Sequence, residues 1–251
     1  MINSLENKIV VITGGAGQVG KAAAKRFAEL GARVFIIVRR DLEKAKEIVA
    51  ALSNSHLQHD AILASVTDTT SLKAAVTIIT DRAGRCDLLI NAAGITKGLS
   101  PRDFERYTDE IVDEILITNI RGPFATIREF TPLLKNSGQA LVINISSAAG
   151  KRASNSNIIY GASKIGLELI TSSLSRVLAP NIRVVNVCPG MLENPTSGAY
   201  KPEGTNEKMA QEIPLRRVGK AEDVVATIEA LATTMTYVTG STILLDGGKL
   251  A

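Results

Sequence analysis

Short runs of aliphatic and β-branched residues alternate with longer stretches of helical periodicity from one end of the chain to the other. The runs with strand character cover residues 8–13, 33–38, 61–64, 87–90, 140–146, 182–187 and 242–245. Strands that are apolar throughout are buried on both faces of a sheet, and alternation with helices requires right-handed crossovers between parallel strands. The pattern therefore predicts an α/β fold with one doubly wound, seven-stranded parallel sheet and helices on both faces.

The helical stretches between these strands cover residues 18–30, 42–53, 70–83, a long segment near 104–134, 158–178 and 221–234. The chain has 251 residues without a break in composition, so we expect one domain over residues 1–251. Residues 191–212 have no clear period and are rich in Pro, Gly, Asn and Lys. A loop of that length in a compact domain is typical of a lid, and we predict that it covers a substrate.

Composition argues against several classes of protein. The net charge is +4, but the basic residues are scattered and aromatic residues make up only 4% without any Trp, so no nucleic-acid partner is expected. No apolar run approaches the roughly 18 residues that span a bilayer. The start has no signal-peptide pattern, and we expect no membrane partner and a cytoplasmic location. No metal-ligand spacing includes the two cysteines, Cys86 and Cys188, and no further ligands accompany His56 and His59, which argues against a metal site.

A glycine-rich turn follows the first predicted strand. Residues 10–20 combine the end of that strand, the turn and the start of a helix, as in the unit of a Rossmann fold that binds pyrophosphate. Glycines let backbone N–H groups approach phosphate at the positive end of the helix. Gly14, Gly17, Gln18 and Val19 are therefore candidate cofactor contacts, whereas the turn alone would equally fit a tight strand-to-helix connection.

Two arginines follow the second predicted strand, where a Rossmann unit meets the adenosine ribose. A carboxylate there binds the 2′-hydroxyl of NAD, and a cation tolerates the 2′-phosphate of NADP. Val38 precedes Arg39 and Arg40. Because Arg pairs with phosphate in a bidentate manner, the sequence favours NADP(H) and leaves NAD(H) open. The alternative is that both arginines only solvate the next helix, which Asp41 is predicted to cap.

Tyr160 and Lys164 lie four residues apart within a helical pattern, which puts both side chains on one face about a turn apart. A nearby ammonium favours the phenolate, so we predict that Lys164 lowers the pKa of Tyr160 towards neutrality. Hydride transfer at a carbon that bears oxygen also moves one proton, which Tyr160 can supply. Ser147 follows the fifth predicted strand at a carboxyl end, where its hydroxyl can hold a substrate oxygen.

These residues belong to an ordered series of motifs that covers nearly the whole chain. The series comprises the glycine turn, Asn91-Ala92-Ala93-Gly94, Asn119, Ser147, Tyr160 with Lys164, Pro189-Gly190 and the tail Leu245-Asp246-Gly247-Gly248. In this order the chain resembles the classical short-chain dehydrogenase/reductase family, and its tail is similar to that of 3-oxoacyl-acyl-carrier-protein reductases. The resemblance implies an oxidoreductase that transfers hydride between a nicotinamide and a small-molecule carbonyl or secondary alcohol.

The resemblance also implies roles for individual residues. Tyr160 is implied as the general acid or base and Lys164 as the residue that binds ribose and lowers the tyrosine pKa. Ser147 is implied to orient the carbonyl, and Asn119 to hold a water in a proton relay. Members of the family usually assemble through the helices near 104–134 and 158–178, so we expect a homotetramer or a dimer. Besides Tyr160 and Lys164, cofactor contacts are implied at Ser65, Val66, Asn91, Ala92, Gly94, Pro189, Gly190, Leu192 and Asn194.

Three positions depart from the family pattern. Gln18 stands where the turn usually has its middle glycine, which puts the contacts to pyrophosphate in question. Ser65 replaces an acidic residue that often contacts adenine, and Asn194 replaces a threonine that often meets the carboxamide. None of the three changes removes a catalytic group.

Two other functions fit parts of the pattern. The Gln18 turn suits an extended-type sugar-nucleotide epimerase or dehydratase, but such chains carry a larger carboxyl-terminal substrate domain. A non-catalytic, cofactor-sensing protein on the same fold is the second alternative. The presence of Ser147, Tyr160 and Lys164 together argues against it.

Overall fold

The computed structural model describes residues 5–151, 157–193 and 205–250. Its strands are β1 (Ile9–Thr13), β2 (Arg33–Val38), β3 (Asp60–Leu63), β4 (Leu88–Asn91), β5 (Ala140–Ile145), β6 (Ile182–Pro189) and β7 (Thr242–Leu245). They form one seven-stranded sheet in the order β3-β2-β1-β4-β5-β6-β7, and every neighbouring pair is parallel. The predicted doubly wound sheet is thereby confirmed.

Eight α-helices connect the strands in the described part of the chain. They are α1 (Gln18–Glu29), α2 (Leu42–Ala50), α3 (Thr69–Ala83), α4 (Asp109–Leu116), α5 (Gly122–Asn136), α6 (Ile158–Leu178), α7 (Thr205–Gln211) and α8 (Ala221–Thr233). Among the residues with described structure, none of the helices is both long and apolar enough to cross a bilayer.

The two faces of the sheet are covered by different helices, because successive strand residues point to opposite faces. Val10 and Ile12 of β1 belong to a buried cluster with Phe27 of α1 and the inner side of α8. Val11 belongs to the cluster on the other face, with Phe130 of α5 and residues of α3. Both faces of the central strands are therefore buried, as the uniformly apolar strands predict.

The long helix predicted near residues 104–134 is wrong at its start and in its interior. Phe104–Arg106 forms a separate 3₁₀ turn before α4. Between α4 and α5, Ile117–Arg121 is a π-helix. Pro123 has no N–H to donate to the carbonyl of Asn119, so a regular α-helix would lose a hydrogen bond here, and the wider π-helical turn accommodates the proline.

The other predicted boundaries agree with the structure within three residues, but the predicted lid over residues 191–212 is only partly described. Its last part contains α7, a helix that the sequence pattern did not indicate. Its first part pairs with another segment, since Leu192 forms a parallel bridge with Gly219 ahead of α8. Asn194 lies outside the described residues.

The carboxyl ends of the strands meet at one edge of the sheet. The strand order reverses between β1 and β4, because β2 and β3 lie on one side of β1 and the remaining strands lie on the other. Doubly wound folds bind their ligands in the crevice outside such a switch point. The glycine turn after β1, Gly94 after β4 and Ser147 after β5 are all placed at this edge.

Candidate active site

The glycine-rich segment that joins β1 to α1 leaves no room for a side chain at Gly14, Gly15 or Gly20. Gly14 has a φ of +67°, and a Cβ there would lie 2.7 Å from the backbone nitrogen of Ala93. A Cβ at Gly20 would lie 2.4 Å from the carbonyl oxygen of Gly14. Gly17 occupies the N-cap of α1, where it offers no capping side chain to the first N–H groups. The first turn of α1 therefore presents backbone donors that can bind an anion.

A cavity of about 220 Å³ opens at the switch point between β1 and β4. It is lined by six of the predicted cofactor contacts, Gly14, Gly17, Arg39, Val66, Ala92 and Gly94. The cavity has six other lining residues that the motifs did not indicate as cofactor contacts: Ile37, Ala64, Thr67, Ala93, Ile95 and Thr118. Each of these stands within two residues of a position selected as a site residue, so a wider window around the selected positions would have found them.

Arg39 is the charged residue of the cavity wall, and its side chain is exposed. Arg40 is exposed as well but does not line the cavity. The Asp41 carboxylate accepts a hydrogen bond from the Lys44 N–H at 3.0 Å, which confirms the predicted helix cap. The Asp41 carboxylate is thus bound to the start of α2, and Arg39 gives the cavity wall a positive charge.

Two predicted cofactor contacts have side chains that are engaged elsewhere. The Asn91 amide donates to Asn144 Oδ1 at 2.8 Å in the interior. The Ser65 hydroxyl lies 2.9 Å from Thr67 Oγ1 and accepts a further hydrogen bond from the Thr67 N–H. These local bonds explain why neither side chain lines the cavity, and a role of either residue towards a cofactor stays a prediction.

Gln18 is the first residue of α1, and its side chain does not fill the cavity at the switch point. Its Nε2 donates to the Glu193 carbonyl at 2.5 Å, and the residue borders a separate cavity of about 530 Å³. The N–H of Gly190 donates to the Leu245 carbonyl at 2.8 Å, which holds the segment after β6 against β7. The predicted contacts that the cavity wall does not include are Gln18, Val19, Arg40, Ser65, Asn91, Tyr160, Lys164, Pro189, Gly190 and Leu192.

Tyr160 and Lys164 lie on one face of α6, as predicted. The Lys164 ammonium is 5.5 Å from the centre of the Tyr160 ring and donates to the Ile145 carbonyl at 2.9 Å. Asn157 caps the helix by accepting a hydrogen bond from the Tyr160 N–H at 3.0 Å. The cap fixes the start of α6 at Tyr160, and the carbonyl contact holds the Lys164 ammonium at the end of β5.

Burial dominates the protonation of this pair. It raises the pKa of Tyr160, and a hydrogen bond with the Ser147 side chain opposes the rise. It lowers the pKa of Lys164 to about 8. The prediction that Lys164 brings the tyrosine pKa down is therefore wrong for this structure. The ammonium is bonded to a carbonyl, and burial favours the neutral form of both groups.

Ser147 follows β5 and caps the 3₁₀ turn Ala148–Gly150. Its Oγ accepts a hydrogen bond from the Ala149 N–H at 3.2 Å, and its side chain is hydrogen-bonded to Tyr160. The structure thus brings Ser147, Tyr160 and Lys164 together, as the sequence predicts. The roles of these residues in a reaction stay predictions at this point.

Asn119 lies within the π-helix and is fully buried. Its Oδ1 accepts from the Ile95 N–H at 2.8 Å, and its Nδ2 donates to the Ile95 carbonyl at 2.9 Å and to Ser163 Oγ at 3.0 Å. The side chain therefore ties the loop after β4 to α6. Because the Asn119 side chain is bonded to Ile95 and Ser163, the predicted water would have to bind the Asn119 backbone carbonyl. Pro123 has no N–H to donate to this carbonyl in the regular α-helical manner.

Both cysteines are free and buried, as expected from the sequence. Burial raises the pKa of the Cys188 thiol to about 12, so this thiol is protonated at neutral pH. In the described ranges, no group of three or more His, Cys, Asp and Glu side chains is arranged to hold a metal ion.

The whole chain is similar to proteins of known class. The family model described as Enoyl-(Acyl carrier protein) reductase matches residues 14–249. Over 248 residues the chain is 34% identical to the 3-oxoacyl-(acyl-carrier-protein) reductase FabG of Thermotoga maritima, which covers 97% of this chain and 98% of that protein. It is 30% identical over 249 residues to 7alpha-hydroxysteroid dehydrogenase of Bacteroides fragilis, with 98% and 96% covered.

The fold is similar to a solved structure over the same extent. A short-chain dehydrogenase/reductase from Brucella melitensis, described as a glucose/ribitol dehydrogenase, has a TM-score of 0.91 with this chain. The two chains are 28% identical, and 99% of each is covered.

The parallel sheet, the switch-point cavity and the cluster around Tyr160 define a nicotinamide-dependent oxidoreductase. The chain belongs to the short-chain dehydrogenase/reductase family and is similar to its 3-oxoacyl-(acyl-carrier-protein) reductases. It therefore transfers hydride between a nicotinamide cofactor and a ketone or secondary alcohol. These matches support neither the epimerase or dehydratase alternative nor the cofactor-sensing one.

Proposed function

We propose that the protein reduces a ketone with NADPH, or oxidises the secondary alcohol with NADP⁺, and that Tyr160 transfers the proton. The observation that carries the proposal is the cluster of Ser147, Tyr160 and Lys164 beside the switch-point cavity. Gly94 links the two, because it lines the cavity and a Cβ there would lie 3.3 Å from Lys164 Nζ. A cofactor at the switch point would then lie next to a proton donor, as hydride transfer requires.

The residues around the cavity fit a dinucleotide phosphate. Gly14 and Gly17 bring the backbone of the turn close to a pyrophosphate at the start of α1, and Arg39 offers the cation for a 2′-phosphate. Lys164 can donate to the ribose hydroxyls. A nicotinamide bound there supplies or accepts the hydride. Further contacts that we propose from the family pattern are Gln18, Val19, Arg40, Ser65, Val66, Asn91, Ala92, Gly94, Pro189, Gly190, Leu192 and Asn194.

The proton path starts at Tyr160. Its phenol donates a proton to the substrate oxygen as hydride reaches the carbon, and Ser147 donates a hydrogen bond to the same oxygen. Because burial raises the pKa of Tyr160, the phenol stays protonated at neutral pH, which favours the role of acid in reduction. Lys164, with a pKa of about 8, can return a proton to Tyr160. We propose that a water on the Asn119 carbonyl supplies Lys164.

The substrate class that we propose is a 3-oxoacyl thioester. Its support is the similarity over the whole chain to 3-oxoacyl-(acyl-carrier-protein) reductase FabG. A relative named 7alpha-hydroxysteroid dehydrogenase is nearly as similar, so a steroid ketone is the natural second probe. The cytoplasmic location expected from the sequence stays a prediction.

We also propose a homotetramer, or a dimer, that pairs through α6 and α5. The outer side of α6 carries Leu169 and Val177, which are 70% and 74% exposed. Ile165 lies one turn before Leu169, and Val177 lies about two turns after it, so the three side chains lie on the same side of α6. Phe124 of α5 is exposed as well. An apolar face of this kind on an oxidoreductase is typical of an interface.

The cofactor part of the proposal is tested by titrating NADPH and NADH into wild-type protein, Arg39→Ala and Arg40→Ala. We expect Arg39→Ala to weaken NADPH binding by about ten- to a hundredfold, the effect of losing one charge-assisted contact. NADH binding should be unchanged. Arg40→Ala is the matched comparison and should have the smaller effect, since only Arg39 lines the cavity. Equal affinity of the wild type for both cofactors would contradict the NADP preference.

A further inference from the structure

Glu168 lies on α6, one turn beyond Lys164 and two turns beyond Tyr160. Its side chain is 12% exposed, and its Oε2 forms an ion pair with the Lys151 ammonium. Its Oε1 accepts a hydrogen bond from Ser146 Oγ at 2.9 Å. Both oxygens of a nearly buried carboxylate thus bind side chains from the segment after β5.

The two partners of Glu168 stand on either side of Ser147 in the chain. Ser146 comes directly before Ser147, and Lys151 comes directly after the turn that Ser147 caps. The Ser146 hydroxyl also lies 3.3 Å from the Lys164 carbonyl. Glu168 therefore holds both ends of the Ser147 segment on the helix that carries the tyrosine.

Between these ends, Ser147 is hydrogen-bonded to Tyr160, and the backbone of the turn packs closely against α6. A Cβ at Gly150 would lie 2.9 Å from the Gly161 carbonyl, and a Cβ at Gly161 would lie 3.0 Å from the Ala149 carbonyl. Such contacts bring the segment near but are not directional, whereas a charge-assisted bond at each end fixes its position along the helix. A displacement of about 1 Å in a reacting group can cost about a hundredfold in rate.

We propose that Glu168 is a positioning residue that, through Ser146 and Lys151, fixes the Ser147 hydroxyl relative to the Tyr160 hydroxyl. This inference rests on the proposed function, in which both hydroxyls bind the same substrate oxygen. Glu168 and Lys151 take no part in the proposed cofactor contacts. Their loss should therefore lower kcat and leave the affinity for NADPH unchanged.

The test measures NADPH oxidation with the N-acetylcysteamine thioester of acetoacetate as substrate. Glu168→Gln and Lys151→Met are each expected to lower kcat by about ten- to a hundredfold, with an unchanged Kd for NADPH. The kcat of the double variant should be no lower than that of the less active single variant, because both substitutions remove the same ion pair. Lys151→Arg keeps the charge and should retain most of the wild-type kcat.

Glu229→Gln is the matched control. Glu229 of α8 pairs with Arg26 of α1 at 2.7 Å, and its side chain is 26% exposed. This pair lies on the opposite face of the sheet, so its loss should lower stability without changing kcat. Wild-type kcat in both Glu168→Gln and Lys151→Met, additive losses in the double variant, or an equal loss of kcat in Glu229→Gln would each overturn the proposal.

Hydrogen exchange of residues 147–151 gives a second readout that does not depend on turnover. The N–H groups of Ala149, Gly150 and Lys151 are all bonded within the turn. They should exchange faster in Glu168→Gln and at the wild-type rate in Glu229→Gln. If the wild type does not oxidise NADPH in the presence of any ketone, the proposed function fails. The positioning claim is then decided by exchange, and an unchanged rate in Glu168→Gln would overturn it.

Discussion

The burial of Lys164 in the site destabilises the folded protein. Its side chain is 4% exposed, and its ammonium donates to a neutral carbonyl, that of Ile145. Removing an ammonium from water costs free energy that such a partner only partly offsets. Burial accordingly lowers the pKa of Lys164 to about 8, from 10.5 for a free lysine. Reactive groups held at a cost to stability are common in active sites.

We predict that Lys164→Met is more stable than the wild type at pH 7, by on the order of 1 to 3 kcal/mol. Between pH 8 and 10.5 the unfolded wild type binds more protons at Lys164 than the folded protein does. Wild-type stability should therefore rise relative to the variant across that window, and the difference should be constant below it. Urea unfolding of both proteins at several pH values measures this difference.

A variant that is less stable than the wild type at pH 7 would contradict this prediction. It would mean that the bond from Lys164 to Ile145 outweighs the burial of the charge. The same variant should lose the reductase activity, which shows that stability and function are opposed at this residue.

At the scale of helices and strands, most of the fold could be predicted because its signals are local. A buried strand is a run of apolar neighbours, and the glycine turn, the Asp41 cap and the pair Tyr160 and Lys164 are each contained in a few consecutive residues. The π-helix at Ile117–Arg121 was missed because its residues continue an ordinary helical period. Pro123 was the available signal.

Contacts that depend on strand register could not be predicted. The sequence did not indicate that Asn91 belongs to a buried polar row, in which Asn144 donates to Thr171 and Thr171 donates to Asn186. The three asparagines are direct neighbours across β4, β5 and β6. The bonds that Asn144 and Asn186 form with Thr171 tie the sheet to α6. The Glu168 contacts with Ser146 and Lys151 were missed because they depend on how α6 packs against the segment after β5.

At the scale of the whole molecule, the exposed apolar face of α6 is the feature that a single chain does not explain. Leu169 and Val177 are among its most exposed large hydrophobic residues. Covering them would bury apolar surface, and each such side chain contributes about 1.5 to 3 kcal/mol when fully buried. A second copy of the chain is the partner that the proposed assembly provides.

We predict that the double variant Leu169→Glu/Val177→Glu dissociates the assembly, because paired copies would bury four carboxylates without partners. Size-exclusion chromatography with light scattering should show a tetramer or dimer for the wild type and a smaller species for the variant. Leu63→Glu is the matched control, since Leu63 is 55% exposed on the edge strand β3, and its mass should equal that of the wild type. A monomeric wild type would contradict the proposed assembly.

The central claim is that Tyr160 transfers the proton in an NADPH-dependent ketone reduction. The most direct measurement follows NADPH absorbance with a 3-oxoacyl thioester for the wild type and for Tyr160→Phe, which removes the hydroxyl and keeps the ring. We predict turnover by the wild type and a loss of kcat of at least about a hundredfold in the variant, with NADPH still bound. Wild-type turnover by Tyr160→Phe would contradict the claim and require another proton donor.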